Sequence, residues 1–271
     1  MMHIDVRGVL IPTLGFGTWP MRGEQCKEAV EHALEIGYRH IDTAQAYENE
    51  AEVGLAIRNS GLPRNEIFLT TKVRPTNFAR ACARASVEES LRKLNTDTID
   101  LVLLHWPNNE VPLQETFESL SLLVDEGSVR HLGVSNFPTN LVEDAREVVD
   151  IFCNQVEYHP YLSQSQLLKQ ARKYGHLLTA YSPIAKGRVL TDPLLVEIGS
   201  RYDKNPVQIT LRWLVQQERV AAVPKAGSPE HRLSNISIFD FELSPTEMDA
   251  IHNLSRKERL VDPTDGPEWD G

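Results

Sequence analysis

The stretch GYRHIDTAQAYENE (residues 37–50) contains the pattern that decides the fold of this chain. A short β-like run covers 38–42 and ends at Asp42, and Tyr47 follows five positions later. A helical pattern then covers 49–60. A strand followed directly by an amphipathic helix is the repeating unit of an α/β fold. Asp42 and Tyr47 serve either in packing and capping or in acid–base chemistry, and residues outside this stretch decide between the two.

The same alternation of strand and helix continues along the chain. The strand-like runs lie at 14–17, 38–42, 67–72, 99–105, 129–135, 151–157, 177–182 and 220–224. The helical patterns lie at 24–36, 49–60, 80–94, 113–126, 138–148, 163–174, 193–202 and 229–235, with two more at 206–217 and 244–254. TNLVEDA and SPEHRL offer cap-like starts for two of these helices. Residues 3–11 form a hairpin pattern that turns at Arg7-Gly8. We therefore predict a single (β/α)8 TIM barrel over residues 1–271, with two extra helices and a short N-terminal hairpin at the barrel floor.

Composition narrows the classes of partner. The formal net charge is -10, and no run of five like charges occurs, so a nucleic-acid or anionic-membrane partner is not expected. The three cysteines (Cys26, Cys82, Cys153) are far apart and form no CxxC, as in a reducing cytosol. The first residues lack a signal-peptide pattern, and no apolar run is long enough to cross a bilayer. We expect a cytoplasmic monomer that acts on a small molecule.

Chemically active side chains occur where the predicted strands end. In a TIM barrel the active site forms at the carboxyl ends of the strands. The residues at these ends are Asp42, Lys72, His105, Ser135, Asn136, Gln155, Tyr181 and Ser182. Taken singly, a strand-end aspartate is more often a cap and a lone histidine more often a core residue. Because all of these residues converge on one rim, a shared site is the better interpretation.

Several motifs resemble those of the aldo-keto reductase superfamily, in order and across nearly the whole chain. They are GYRHIDTAQAYENEAEVG, IFLTTKV, DLVLLHWP, HLGVSNF, NQVEYHP, AYSPIAKG and VPKAGSPEHRLSN. The ending RLVDPTDGPEWD and the short loops after His105 and Tyr181 resemble the bacterial 2,5-diketo-D-gluconate reductases of the B type, which are similar to methylglyoxal reductases. The resemblance implies reduction of aldehyde or ketone groups of small or sugar-derived carbonyl compounds.

The resemblance also implies a catalytic tetrad of Asp42, Tyr47, Lys72 and His105. Reduction of a carbonyl develops an alkoxide that needs a proton donor, and Tyr47 can supply the proton. An ammonium about 4 Å away, at an effective dielectric constant of about 20, favours the phenolate by roughly 4 kcal/mol before burial is counted. Lys72 supplies that charge and Asp42 keeps Lys72 protonated, whereas a ring N–H of His105 positions the carbonyl. Asp42 and Tyr47 are then two ends of one proton relay.

A nicotinamide nucleotide is the expected hydride donor. LGFGTW (14–19) contains G-x-G but lacks a third glycine, so the dinucleotide fingerprint of a Rossmann fold is not met. In the resembled family the cofactor lies extended across the barrel mouth. The positions that would hold it here are Gly17, Thr18, Asp42, Ser135, Asn136, Gln155, Tyr181, Ser182, Pro183, Lys186, Gly187, Lys225, Ala226, Ser228, His231, Arg232 and Asn235. Trp19 and Trp106 are predicted to wall the substrate pocket beside Tyr47 and His105.

The segment after Lys225 departs from the family pattern. NADPH-specific relatives commonly have K-S, with an arginine six residues after the lysine, whereas this chain has Lys225-Ala226 and His231. Ala226 offers no hydroxyl, and a histidine binds phosphate more weakly than an arginine fork. Lys225, Ser228 and Arg232 remain as candidates. We expect a preference for NADPH, with NADH usable.

Two other functions remain open at this level. One is a metal-dependent barrel hydrolase built on His40, Asp42, His105 and His159, although no H-x-H occurs and the Lys72–Tyr47 pair would have no role. No metal is expected. The other is a nucleotide-binding regulatory barrel with slow turnover, which would retain the cofactor residues.

Overall fold

Parallel strands form a closed barrel in the computed structural model, which describes residues 2–264 and 266–270. The barrel strands are β3 (Phe16–Gly17), β4 (His40–Asp42), β5 (Phe68–Val73), β6 (Ile99–Leu104), β7 (Val129–Ser135), β8 (Cys153–Glu157), β9 (Leu177–Tyr181) and β10 (Val220–Ala222), and each pairs with its sequence neighbours. A parallel bridge between Leu14 and Ala222 joins the first barrel strand to the last. Gly15 N–H donates to Ala222 O at 2.8 Å across the same junction. The predicted (β/α)8 barrel is confirmed.

The helices surround the strands and include the two extra helices predicted from sequence. They are α1 (Gly23–Glu35), α2 (Glu50–Asn59), α3 (Arg80–Leu94), α4 (Leu113–Asp125), α5 (Thr139–Val148), α6 (Ser165–Tyr174), α7 (Pro193–Tyr202), α8 (Pro206–Val215), α9 (Pro229–Ile236) and α10 (Pro245–His252). The additions to the eightfold repeat are α8 and α10. Short 3-10 turns cover Gln45–Tyr47, Arg64–Glu66, Pro75–Asn77 and Ala185–Thr191. Within the described chain, no helix reaches the length and apolarity required to span a membrane.

The predicted and observed ends of these elements differ by a few residues. The last strand ends at Ala222 rather than at residue 224, where Pro224 lacks the N–H needed to continue a ladder. The first barrel strand is only two residues long, with an isolated bridge at Leu14 in front of it. Such differences are normal because strand ends depend on pairing across the sheet.

The N-terminal hairpin lies at the barrel floor, as the sequence predicts. Its strands, β1 (His3–Val6) and β2 (Val9–Pro12), pair antiparallel. Val6 and Ile11 pack in a small core with Phe68, Phe152 and other side chains of the barrel interior. A second and larger core lies between the strands and the surrounding helices. The hairpin therefore covers the end of the barrel opposite the carboxyl ends of the strands.

The two helices with cap-like sequences, α5 and α9, are capped in different ways. Ser228 caps α9, since its side chain accepts the His231 N–H at 3.3 Å. Thr139 does not cap α5 with its own side chain. Instead the Asp270 carboxylate accepts from Thr139 N at 3.0 Å and from Thr139 Oγ1 at 2.7 Å. The cap for α5 thus comes from the C-terminal segment.

Candidate active site

Three residues predicted to form a proton relay are in direct contact. Lys72 Nζ donates to Asp42 Oδ1 at 2.6 Å, to the Thr43 carbonyl at 3.0 Å and to Tyr47 Oη at 3.1 Å. Asp42 ends β4 and Lys72 lies on the neighbouring β5, so parallel pairing brings the two side chains to the same rim. Lys72 is only 1% exposed. Its three hydrogen bonds make the buried ammonium tolerable.

Neighbouring charges and burial shift the pKa values of Lys72 and Tyr47 in opposite directions. Burial opposes the ammonium of Lys72, but Asp42 and Tyr47 favour it, and the pKa of Lys72 is raised. Burial also raises the pKa of Tyr47, and the attraction of Lys72 offsets only part of that rise. The charge of Lys72 lowers the pKa of Tyr47, as expected from the sequence, but burial outweighs it. Tyr47 therefore retains its proton at neutral pH, as a proton donor must.

Two aromatic rings flank the ring of Tyr47. The centroid of Tyr47 lies 5.7 Å from that of His105 and 5.2 Å from that of Trp19. Burial, reinforced by the charges of Lys72 and Arg74, lowers the pKa of His105 to about 3. His105 is therefore neutral at physiological pH and offers a ring N–H without a positive charge. Trp19 is 53% exposed and forms the outer rim.

The relay opens into a cavity of about 560 Å³ at the carboxyl ends of the strands. Most of its wall comes from residues predicted from the sequence. They are Trp19, Tyr47, His105, Trp106, Ser135, Asn136, Gln155, Tyr181, Ser182 and Lys186. Ala46, Leu260 and Val261 complete the lining. No acidic side chain lines this cavity in the described part of the chain, although the whole chain carries a formal charge of -10.

One side of the cavity is a network of amide and hydroxyl groups. Tyr181 Oη donates to Asn136 Oδ1 at 2.7 Å, and Asn136 Nδ2 donates to the His105 carbonyl at 3.0 Å. Asn136 has a left-handed backbone, with φ of 64°. Gln155 Nε2 donates to Asp42 Oδ2 at 2.7 Å, which links this network to the relay. Among the described residues no hydrogen bond engages Gln155 Oε1, so this acceptor is available to a ligand amide.

The predicted phosphate-binding residues fall into two groups. The first is the loop after β9, where Ala185, Lys186 and Gly187 have successive positive φ angles. The Ala185 N–H donates to the Ser182 carbonyl and the Gly187 N–H to the Ile184 carbonyl, both at 2.9 Å. Pro183 is buried in this loop. Lys186 Nζ donates to the Leu260 carbonyl at 3.0 Å, and Arg188 pairs with Glu258.

The second group follows β10 and lies outside the cavity lining. Gly17 N donates to the Pro224 carbonyl at 3.0 Å, and a Cβ at Gly17 would lie 2.6 Å from the Val223 carbonyl oxygen. Thr18 Oγ1 donates to the Asp42 carbonyl at 3.0 Å. The close approach of Gly17 to Val223 and Pro224 fixes the segment after β10 beside the first barrel strand. Of its predicted residues, Lys225 and His231 are exposed, Ser228 is half-buried, and Ala226 and Asn235 are buried.

Arg232 differs from the other cations of this second group. It is only 4% exposed. Its Nη1 donates to the Ala226 and Gly227 carbonyls, both at 3.1 Å, and its Nε donates to His32 Nδ1 at 3.1 Å. The guanidinium therefore holds the loop that carries Lys225, and most of its donors are already used.

Sequence reasoning did not assign a site role to the C-terminal segment or to Glu157. The fully buried Glu157 carboxylate accepts from Leu260 N at 2.9 Å and from Val261 N at 3.0 Å. Burial opposes its charge, but bonds from His159 and these backbone groups lower the pKa of Glu157. Trp269 packs against Trp106 at 6.1 Å. The motif NQVEYHP contains Glu157, but the partners lie about a hundred residues away, so local sequence gives no signal for the contact.

The histidines considered for a metal site do not converge. His40 Nδ1 contacts the Pro12 carbonyl at 3.2 Å near the barrel floor. His159 Nε2 contacts Glu157 at 3.1 Å. Within residues 2–264 and 266–270, no group of three or more potential ligand side chains is arranged to hold a metal ion. The hydrolase interpretation therefore has no ligand set.

Comparison with known proteins connects this geometry to a family. The model of the Aldo/keto reductase family matches residues 13–256. The chain belongs to the aldo/keto reductase family. The resemblance seen in the motifs is thereby confirmed. This aldo/keto reductase is an oxidoreductase enzyme that reduces carbonyl groups, and members of its family generally use NADP(H).

Individual relatives of this aldo/keto reductase cover nearly its whole length. Methylglyoxal reductase DkgB of Escherichia coli O157:H7 is 38% identical over 266 residues, which is 96% of this chain and 99% of the relative. Glyoxal reductase of Bacillus subtilis is 37% identical and covers 93% of this chain and 92% of the relative. A crystal structure provisionally named 2,5-diketo-D-gluconic acid reductase B has a TM-score of 0.97 and 48% identity, covering 100% of this chain and 98% of that one.

Proposed function

We propose that this protein uses NADPH to reduce small or sugar-derived aldehydes and ketones to alcohols. The observation that carries the proposal is the Asp42–Lys72–Tyr47 chain of hydrogen bonds, which opens into a cavity with no acidic lining in the described structure. Relatives named for methylglyoxal, glyoxal and 2,5-diketo-D-gluconic acid support this substrate class. We further propose that the whole chain forms one domain and works as a monomer in the cytoplasm, in keeping with its three free cysteines.

The residues present fit a nicotinamide nucleotide. Gln155 Oε1, Ser135 and Asn136 would hold the carboxamide, and Tyr181 would lie against the nicotinamide ring. Asp42, Gly17 and Thr18 would border it. Ser182, Pro183, Lys186 and Gly187 would hold the phosphates nearer the cavity, and Lys225, Ala226, Ser228, His231, Arg232 and Asn235 would surround the adenosine end. The bound nucleotide supplies the hydride.

The protein's own side chains handle the proton and orient the substrate. Tyr47 Oη donates its proton to the carbonyl oxygen, which becomes the alcohol hydroxyl. Lys72 stabilises the phenolate that remains, at the 3.1 Å separation already present. Asp42 holds the ammonium in place and keeps it charged. The neutral ring of His105 orients the carbonyl through an N–H, and Trp19 and Trp106 limit the size of the substrate.

A two-step titration tests the class of function. NADPH is first titrated into the purified protein, and binding is followed by fluorescence. Methylglyoxal is then added. A reductase binds the cofactor and consumes it on addition of the carbonyl. A regulatory barrel would bind NADPH without oxidising it, and a hydrolase would bind none. Either of the last two results, held across a panel of aldehydes and ketones, would overturn the proposal.

Cofactor choice gives a prediction that depends on Lys225. One charge-assisted contact to the 2′-phosphate is worth about 1.5–3 kcal/mol, so we expect NADPH to bind roughly 10- to 10²-fold more tightly than NADH. Lys225→Gly removes this exposed side chain. It should erase most of the difference, because it weakens the binding of NADPH but not that of NADH. His231→Arg should strengthen NADPH binding if the longer side chain reaches the phosphate. Dissociation constants for both cofactors, measured by fluorescence titration, provide the check.

The control for this prediction is Lys257→Gly. Lys257 is also exposed, and its φ of 57° suits glycine. This variant should leave the ratio of the two dissociation constants unchanged. If the unmodified protein bound NADH as tightly as NADPH, the assignment of Lys225 to the 2′-phosphate would be wrong.

A further inference from the structure

The turn that carries Tyr47 is attached to the rest of the barrel by the side chain of Gln45. Gln45 Oε1 accepts from Arg74 N and from Asn77 Nδ2, both at 3.1 Å. Its Nε2 lies 3.1 Å from the Ser86 carbonyl and 3.1 Å from Ser90 Oγ on α3. Both ends of one amide are thus engaged, and they reach two different elements.

A second contact strengthens the same attachment. Arg74 Nη2 donates to the backbone carbonyl of Gln45 at 2.6 Å. The backbone and the side chain of Gln45 are therefore both bonded to Arg74, which follows Lys72 by two residues. Gln45 in turn precedes Tyr47 by two residues. The Gln45–Arg74 bonds consequently join the same two chain segments as the contact between Tyr47 and Lys72.

The turn has little internal support of its own. It is a three-residue 3-10 turn, Gln45–Tyr47, and the next residue, Glu48, is left-handed with φ of 56°. Its internal hydrogen bonds are Tyr47 N to Ala44 O at 3.0 Å and Glu48 N to Gln45 O at 3.4 Å. Asn49 anchors the far end through Met21 O at 2.9 Å. On the side facing Lys72, Gln45 makes four of the contacts that hold the turn, and Arg74 adds a longer one of 3.3 Å to Glu48.

We propose that Gln45 is a positioning residue that sets the separation of Tyr47 Oη from Lys72 Nζ. The inference rests on the proposed function, in which Tyr47 is the proton donor. A hydrogen bond at 3.1 Å is near the upper end of the normal range, so a small movement of the turn weakens it. A misplacement of about 1 Å can cost roughly 10²-fold in rate. Gln45 thus acts on the reaction through Tyr47 and does not touch the substrate.

The test variant is Gln45→Met, which keeps the length of the side chain and removes its hydrogen bonds. We expect kcat to fall between about tenfold and 10²-fold, with the NADPH dissociation constant unchanged. The pH dependence of alcohol oxidation should move to higher pH, because a more distant Lys72 favours the phenolate less. A role confined to stability would change the melting temperature without moving this profile.

A double-mutant cycle separates action through Tyr47 from a general effect. Gln45→Met should lower kcat in the unmodified protein and have no further effect in the Tyr47→Phe background. Gln170→Met is the matched control, since Gln170 is a buried amide on α6 that bonds the Thr139 carbonyl and Glu143 at 3.0 Å. Equal losses from Gln45→Met in both backgrounds, or an unchanged kcat and pH profile, would overturn the proposal.

A milder variant covers the case in which Gln45→Met does not fold. Asn77→Ala removes one donor to Gln45 Oε1 and should give a smaller change in kcat and pH profile, in the same direction. No change in either would count against the proposal. If Tyr47→Phe itself retained full activity, the proposed role of Tyr47 as proton donor would be wrong, and the role of Gln45 would be wrong with it. If Tyr47→Phe lost activity while Gln45→Met and Asn77→Ala did not, only the role of Gln45 would fail.

Discussion

Tyr47→Phe is expected to lower kcat by roughly 10²-fold or more while leaving NADPH affinity nearly unchanged. The substitution removes one oxygen atom and keeps the ring that packs against Trp19 and His105. Because burial keeps the hydroxyl protonated and Lys72 lies 3.1 Å away, no other group in the relay is equally placed to donate the proton. Steady-state turnover with methylglyoxal and a separate NADPH titration measure the two quantities.

Tyr202→Phe is the matched control for this substitution. Its hydroxyl donates to Glu247 Oε2 at 2.6 Å on the outside of the barrel, and its loss should leave kcat unchanged. Substantial reductase activity in Tyr47→Phe would assign the proton donor to another residue. His105 would then be next, although its lowered pKa leaves the ring neutral at physiological pH, without the imidazolium proton that it would have to donate.

Lys72→Met is expected to lower turnover sharply and to move the remaining activity to higher pH. Methionine keeps the apolar volume but removes the charge that favours the Tyr47 phenolate. Without Lys72, the pKa of Tyr47 rises further above its ordinary value, because burial is then opposed by less charge. The oxidation of an alcohol requires the phenolate as base, so its rate should increase only at higher pH than in the unmodified protein.

The Lys72 variant leaves the Asp42 carboxylate buried without its cationic partner, although Gln155 Nε2 still donates to it, and an uncompensated buried charge is destabilising. The double variant Asp42→Asn with Lys72→Met restores neutrality while retaining a side-chain amide at position 42. The double variant should be more stable to unfolding than Lys72→Met alone, and its turnover should be equally slow. If the pH profile of either variant matched that of the unmodified protein, Lys72 would have a structural role only.

Local pattern was enough to predict the barrel and the rim residues. The alternation of apolar strands and amphipathic helices places the ends of successive parallel strands on one edge, whatever the details of packing. Asp42, Lys72 and His105 follow directly from that rule, since each ends a strand or lies beside its end. Tyr47 required the resemblance to a family, because it lies on a short turn with no periodic pattern of its own.

Long-range contacts were beyond sequence reasoning. Asp270 caps α5, and the Glu157 carboxylate accepts a hydrogen bond from Leu260 N. Both contacts join residues more than a hundred positions apart. Nothing in the sequence around Arg232 indicates that its guanidinium is buried and donates to the Ala226 carbonyl. Tyr47 shows the same limit in electrostatics, because the extent of its burial depends on packing against distant segments.

The central claim is that Tyr47 supplies the proton in NADPH-dependent reduction of a carbonyl. The most direct measurement is a parallel assay of the unmodified protein and Tyr47→Phe, saturated with NADPH and given methylglyoxal, in which alcohol formed is quantified against NADPH consumed. The account predicts one alcohol per NADPH in the unmodified protein and a rate lower by roughly 10²-fold or more in the variant. Equal rates in the two proteins, or NADPH bound by both without any alcohol formed, would contradict it.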